Sequence, residues 1–202
     1  MAATLERIVL ASASLARAAV LRAAGIAFSV EPASIDEARI KEDSRRAGAS
    51  ALECAMALAA EKACVISRRD PGALVIGGDQ ILVIGAQWFD KPGDLAEARA
   101  QLRLLRGRTH TLATALCVAQ GGAPLWRVTS TPELTMRPFS DAFLDSYIAE
   151  EGESLLGSVG AYRLEGRGVQ LFSRIAGDHF AVLGLPLLEL LALLRERGVA
   201  ST

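Results

Sequence analysis

The chain has no cysteine pair, no histidine cluster and no excess of either charge, and each shortage removes a class of function. Cys54, Cys64 and Cys117 are odd in number and form no CxxC pair, so neither a disulfide framework nor a zinc knuckle is expected. They read as small core hydrophobes. Two histidines, His110 and His179, are too few and too far apart in sequence to suggest a histidine-based metal site. Lys plus Arg total 22 against 23 Asp plus Glu, and the densest basic run, residues 39–46, is broken by Glu42 and Asp43, so no nucleic acid polymer is expected as partner. The longest apolar run, residues 183–194, contains Pro186 and Glu189 and falls short of the roughly 20 residues a membrane span needs. No membrane partner is expected. There is no P-loop, no internal repeat and no linker rich in Pro, Gly or Ser. Aromatic residues make up only 5% of the chain, and Trp88 and Trp126 sit in alternating, strand-like contexts that suit packing better than stacking on a base.

What is present is apolar residue, 51% of 202, enough for one substantial core and short for two. A single domain over residues 1–202, of two lobes, is the expectation. The Ala-rich, Arg-containing N-terminus looks superficially like a transit peptide, but Glu6 and the strand-like residues 7–11 mark it as folded, and the expected location is cytoplasmic. After that strand, Ser14 caps a helix over residues 15–24 closed by Gly25. A strand is expected at 27–30, a loop at 31–43 where no period is visible, and a helix at 50–68. The apolar run 74–76 suits a strand buried on both faces that ends in Gly77-Gly78-Asp79-Gln80, with 81–84 beyond it. Asp94 and Glu97 open a helix reaching about residue 105. Residues 109–119 and 125–136 alternate like the two long arms of a hairpin across Gly121-Gly122. Ser140 caps a helix ending near Gly152, and the last helix runs from Pro186 to before Gly198. Helices interleaved with strands and one hairpin predict an α/β fold with a mixed central sheet flanked by helices.

Four places carry candidate chemistry. In Ser12-Ala13-Ser14-Leu15-Ala16-Arg17 a helix N-terminus follows a strand, offering free backbone N–H groups, two hydroxyls and a guanidinium to a phosphate. The same residues would also make an ordinary N-cap with a solvated arginine. Asp79, after two glycines at the end of a buried strand, suits a divalent cation ligand or a general base toward water. It could equally begin a turn. Lys91, on the loop opening a helix, could place a point charge on a phosphate or be merely solvated. The glycine-spaced loop 160–168 presents Tyr162, Arg163, Glu165 and Arg167.

Taken in order, the LASAS segment with Arg17, Ile35-Asp36-Glu37, Glu61-Lys62-Ala63, Gly78-Asp79-Gln80, Asp90-Lys91-Pro92, Gly107-Arg108-Thr109-His110, Gly160-Ala161-Tyr162 with Glu165-Gly166, and Val182-Leu183-Gly184-Leu185-Pro186 resemble the Maf family of nucleotide pyrophosphatases. The match spans nearly the whole chain, and its specificity lies in the ordered set. The resemblance implies a Maf/ITPase-like mixed sheet with two lobes around a cleft, and a homodimer. It also implies hydrolysis of a nucleoside triphosphate to monophosphate and pyrophosphate with a divalent metal cation, Mg or Mn. By position, Asp79 matches the family's proton acceptor, while Ser12, Ser14, Arg17, Glu37, Lys62 and Lys91 match residues lining the phosphate and metal region, with Glu37 and Asp79 as metal ligands. Cations at Arg17, Lys62 and Lys91 would stabilise charge on phosphate oxygens.

One departure matters: the family's usual Ser-Pro-Arg-Arg is here Ser14-Leu15-Ala16-Arg17, one arginine short. Ala16, Gln80 and Glu165 together resemble the branch acting on 7-methyl-GTP, whereas the pyrimidine branch looks like Asp-Thr and Gln at the latter two places. The chemistry of the base points the same way. Guanine and its N7-methylated form present adjacent N1–H and N2–H donors that a carboxylate can accept as a pair, and the methylated ring is cationic. The competing expectation, drawn from the missing arginine, is a nucleotide-binding regulator of septation with weak or vestigial catalysis.

Overall fold

Three consecutive apolar residues, Ile8–Leu10, form strand β1, and all three are buried, as a strand covered on both faces requires. The structure is a computed structural model that describes residues 6–200. Ser14 accepts a hydrogen bond from the Arg17 N–H and so caps helix α1, Leu15–Ala23. β2 is short, Ser29–Val30. Where a loop was expected, Glu37–Arg46 form helix α2. It has no buried residue, so no apolar stripe betrays it. Asp36 caps it, and the spacings Arg39 to Asp43 and Glu42 to Arg46 place opposite charges one turn apart. Helix α3, Ala51–Arg69, begins with a full capping box between Ser50 and Glu53.

Strand β3, Leu74–Ile84, is longer than expected and runs unbroken through Gly77-Gly78-Asp79-Gln80. Asp79 therefore sits in mid-strand rather than at a strand end or turn. The glycines serve close packing: a Cβ on Gly77 would lie 2.1 Å from the Ala59 carbonyl oxygen of α3. β4, Gln87–Phe89, returns antiparallel on β3. Helix α4, Leu95–Leu105, is capped by Asp94. The hairpin forms from β5, Thr109–Gln120, and β6, Ala123–Ser130, but its second arm is interrupted at Thr131-Pro132, and Glu133–Met136 form a separate strand, β7. A proline has no N–H for the ladder, which explains the break. Helix α5, Asp141–Glu151, is capped by Ser140. Three 3-10 turns follow, then β8, Phe172–Ala176, a one-turn helix α6, His179–Val182, and the last helix α7, Leu187–Glu196.

The strands make one mixed eight-stranded sheet, in the order β2-β1-β3-β5-β7-β8 with β4 on β3 and β6 on β5. β1 pairs parallel with both β2 and β3. The chain divides into two compact units: the first holds the described residues up to Gln80, Thr114–Ser130 and those from Asp178, the second Ile81–Ala113 and Thr131–Gly177. In the first unit Leu10, Leu21, Ile76, Leu116, Leu185, Leu190 and Leu194 share one core. Each such side chain contributes about 2 kcal/mol by leaving water. The three cysteines are buried and unpaired, as small hydrophobes. Among the described residues no helix is long and apolar enough to cross a membrane.

Candidate active site

Side chains alternate across β3, so Gly77 and Asp79 face one way while Gly78 and Gln80 face the other. On the first face α3 lies close because Gly77 has no side chain, which brings Lys62, between Ala59 and Ala63, against Asp79. Lys62 Nζ donates to Asp79 Oδ1 at 2.6 Å and lies 2.8 Å from Glu37 Oε1 at the start of α2. Lys62 and Asp79 are both buried, at 8% exposure each, while Glu37 is half exposed. A buried ammonium between two carboxylates is compensated charge, and the arrangement leaves Asp79 Oδ2 for a further partner.

On the second face Arg17 is buried. Its Nε donates to the Gly184 carbonyl at 2.8 Å and its Nη1 to Ser12 Oγ at 3.1 Å. A Cβ on Gly78 would lie 3.1 Å from Arg17 Nε, and one on Gly184 3.2 Å from it, so two glycines leave room for the guanidinium. Burial lowers the Arg17 pKa from its ordinary value, opposed by the negative charge of Asp79 and then of Glu37. The group remains a cation with a fixed orientation, and its second Nη is available to an anion. Ser12 Oγ also accepts the Ser14 N–H, tying the loop before α1 to the arginine. Ala16 is half-buried one residue before it. With Arg17, Lys62, Glu37 and Asp79 the cluster carries two charges of each sign.

Gln80 is more engaged than the sequence suggests. Its Nε2 donates to Thr114 Oγ1 at 2.8 Å and to the Ala181 and Val182 carbonyls at 2.9 and 3.2 Å. Thr114 and the Gly184 carbonyl are contributors that sequence reasoning did not single out. Thr114 is one of several apolar-flanked residues in β5, and a carbonyl leaves no side-chain signal.

The remaining candidates belong to the second unit. Lys91 is exposed on the loop between β4 and α4. Glu165 is exposed on the loop before the third 3-10 turn, with Arg163 Nε 3.9 Å from its Oε1. Below that loop His110 Nε2 and the Tyr162 hydroxyl are 2.8 Å apart and fully enclosed. Burial pushes the His110 pKa down to about 4 and raises that of Tyr162.

Two carboxylates meeting on one ammonium fit a hard cation of the Mg type, which keeps several waters and is held by one or two carboxylates plus substrate phosphates. Among the described residues no group of three or more His, Cys, Asp or Glu could form an all-protein cage.

A family model described as Maf-like protein matches residues 7–197. A protein of Granulibacter bethesdensis named nucleoside triphosphate pyrophosphatase is 55% identical over 190 residues, 94% of this chain and 96% of that protein. One of the same name from Hyphomonas neptunium is 48% identical, covering 96% of this chain and 98% of its own. A protein of Rhizobium meliloti named 7-methyl-GTP pyrophosphatase is 47% identical, covering 95% of this chain and 96% of its own.

Proposed function

This chain belongs to the Maf-like family, and from that membership we infer that it is a nucleoside triphosphate pyrophosphatase whose preferred substrate is 7-methyl-GTP. The observation that carries the reading is the buried, oriented Arg17, whose guanidinium feels the charge of Asp79 and Glu37, together with the Lys62–Asp79 pair. Arg17 and Ser12, with the N–H groups at the start of α1 that have no intrahelical partner, bind the phosphates, and Ser14 holds that helix start in place. Lys62 and Lys91 add positive charge where negative charge builds up on the phosphate oxygens. Asp79 takes a proton from a water. The water oxygen forms a bond to the α phosphorus while the bond from that phosphorus to the α-β bridging oxygen breaks. Pyrophosphate leaves, and the proton on Asp79 returns to solvent. Glu37 and Asp79 are the residues that would hold a divalent cation, Mg or Mn, which when bound polarises the phosphate oxygens.

Base choice falls to Glu165, together with Gln80. The Glu165 carboxylate accepts the paired N1–H and N2–H donors of the methylated guanine, whose positive charge it also meets. Against a pyrimidine carbonyl it would set acceptor against acceptor, so discrimination comes partly from rejection. The resemblance supports a cytoplasmic homodimer in which residues 1–202 work as one domain.

The test is purified protein with Mg or Mn and a panel of 7-methyl-GTP, GTP, dTTP and UTP, with products separated. We expect monophosphate and pyrophosphate, and kcat/KM for 7-methyl-GTP above that for dTTP by at least about tenfold, roughly 1.4 kcal/mol. Glu165→Gln should remove most of that margin. Orthophosphate as first product would exclude attack at the α phosphorus; a wild type that favours dTTP would leave the pyrophosphatase standing and remove the base assignment.

A further inference from the structure

We propose that Tyr162 is a positioning residue for base choice: its hydrogen bond to His110 ties to the sheet the turn that carries Glu165, and so aims the carboxylate. Two segments 52 residues apart, Gly107-Arg108-Thr109-His110 and Gly160-Ala161-Tyr162, thereby acquire one task. The inference rests on the reading of Glu165 as a residue that reads the base, and every residue it uses lies in the second unit.

Residues 163–171 leave the interior at Tyr162 and return to it at Phe172, the first residue of β8. The two rings meet edge to face with centroids 4.9 Å apart, and His110 lies against both, at 5.6 and 6.0 Å. Glu165 sits in the turn that opens this loop. The Gly166 N–H donates to the Arg163 carbonyl at 3.3 Å, and a Cβ on Gly168 would clash with the same carbonyl, so the turn is closed on itself one residue after Tyr162. The carboxylate is not held by its neighbour, because Arg163 Nε at 3.9 Å from Oε1 is beyond hydrogen-bonding distance. Its place is set by the backbone of the turn, and the turn hangs on Tyr162.

The approach to Tyr162 is constrained as well. Gly160 and Ala161 take φ of +78° and +56°, and Ala161, fully buried, is the one non-glycine residue with positive φ among the described residues. An L residue stays in the left-handed region only where its surroundings fix it. A Cβ on Gly160 would lie 2.5 Å from Leu82 Cδ1 and 2.7 Å from Tyr162 Cε1, so the ring packs directly on the backbone before it. At the far end of the ring the hydroxyl meets His110 Nε2 at 2.8 Å, while Nδ1 has no partner. With the hydroxyl as donor one buried N–H is unpaired; with the roles reversed, the hydroxyl hydrogen and the Nδ1 lone pair both are, so Tyr162 donates. An apolar pair of like shape would bury no unpaired atom. What the hydrogen bond adds is direction, and since His110 pairs with Leu134 across β5 and β7, that direction is referred to the sheet.

The test is Tyr162→Phe, which removes the hydroxyl and keeps the ring. The ratio of kcat/KM for 7-methyl-GTP to that for dTTP should fall about fivefold, mostly through KM for 7-methyl-GTP. Inorganic tripolyphosphate has no base, and its affinity in the presence of Mg, measured by calorimetry, should not change. In a Glu165→Gln background Tyr162→Phe should leave the ratio where Glu165→Gln has put it, a non-additivity that a general packing defect would not produce. His110→Gln, which can still accept from the hydroxyl, should keep the wild-type ratio, and His110→Leu should lose it as Tyr162→Phe does. Should Tyr162→Phe fail to fold, that pair carries the same test. A ratio untouched by Tyr162→Phe while Glu165→Gln lowers it, full additivity of the two, or tripolyphosphate affinity that falls along with that for 7-methyl-GTP, overturns the inference alone. A ratio that ignores Glu165→Gln overturns the reading of base choice and this inference with it.

Discussion

The two units of this protein differ in whether they bury charge. The first buries part of it: Arg17, Lys62 and Asp79 are each exposed by less than a tenth and each has a named hydrogen-bond partner, while pairs such as Arg39–Asp43 and Glu42–Arg46 stay on its surface. The second keeps its ions outside, where Arg103 and Arg106 meet Asp141, Arg99 meets Asp145 and Arg167 meets Glu150. Its enclosed polar pair, His110 with Tyr162, is neutral, since burial disfavours the imidazolium. Buried charge costs several kcal/mol per ion unless paired, and a fold that carries it where hydrophobic residues would pack as well is holding it for chemistry. Exposed ion pairs stabilise little and cost little.

The sharpest way to break the contrast is in the first unit. Asp79→Asn keeps shape and an acceptor for Lys62 but loses the basicity needed toward water, so turnover should fall at least about 100-fold, some 2.7 kcal/mol in barrier, with little change in melting temperature. Retention of more than about a tenth of the rate removes Asp79 as base. Lys62→Leu should act on both: it leaves two carboxylates facing each other, one of them buried, and should destabilise by about 3 kcal/mol in denaturant unfolding besides abolishing turnover.

A second measurement asks whether the enclosed pair of the other unit is neutral. The folded His110 pKa of about 4 lies below the ordinary 6.5, so between these values the unfolded chain binds a proton that the folded chain refuses. Stability is therefore full above about pH 6.5 and falls as pH drops toward 4, by about 2 kcal/mol between pH 7 and pH 5. His110→Gln can still hydrogen-bond the Tyr162 hydroxyl but does not titrate, and should flatten that slope. A wild-type unfolding free energy constant from pH 7 to 5, or a slope that survives His110→Gln, would show that the imidazole is not held neutral.

These contrasts were only partly legible in the sequence, and the reasons are physical. β1, the Ser14 cap and α3 announce themselves through apolar runs and capping residues, which are local signals. α2 has no apolar stripe, so only its Asp36 cap and its charge pairs one turn apart could have disclosed it. β8 is barely buried and α6 is four residues long, so neither carries a usable period. At the site, residue identities pointed to Arg17, Lys62 and Asp79, but not to their arrangement. Gly77-Gly78 reads as the end of a strand until one knows that α3 and Arg17 press on the strand there. The partners of Gln80 lie 34, 101 and 102 residues away, at a distance no local pattern reports.

The smallest expected effect lies on the surface of the second unit. Asp141 accepts from Arg103 at 3.0 Å and from Arg106 at 2.9 Å, and these hydrogen bonds, Arg103 first, hold its carboxyl below its ordinary value. A depressed carboxylate stabilises above its unfolded pKa and loses that contribution as pH falls through the folded one, so the pair matters at neutral pH and fades on acidification. Its side chain is half exposed, however, and water and salt screen it. Asp141→Asn should move the melting temperature by no more than about 2 °C, the difference should vanish near 1 M NaCl, and turnover should stay at the wild-type level. If removing this exposed carboxylate cost as much as Lys62→Leu, the second unit would depend on its surface ions as the first depends on its buried ones. The division of labour between them would then have to be drawn elsewhere.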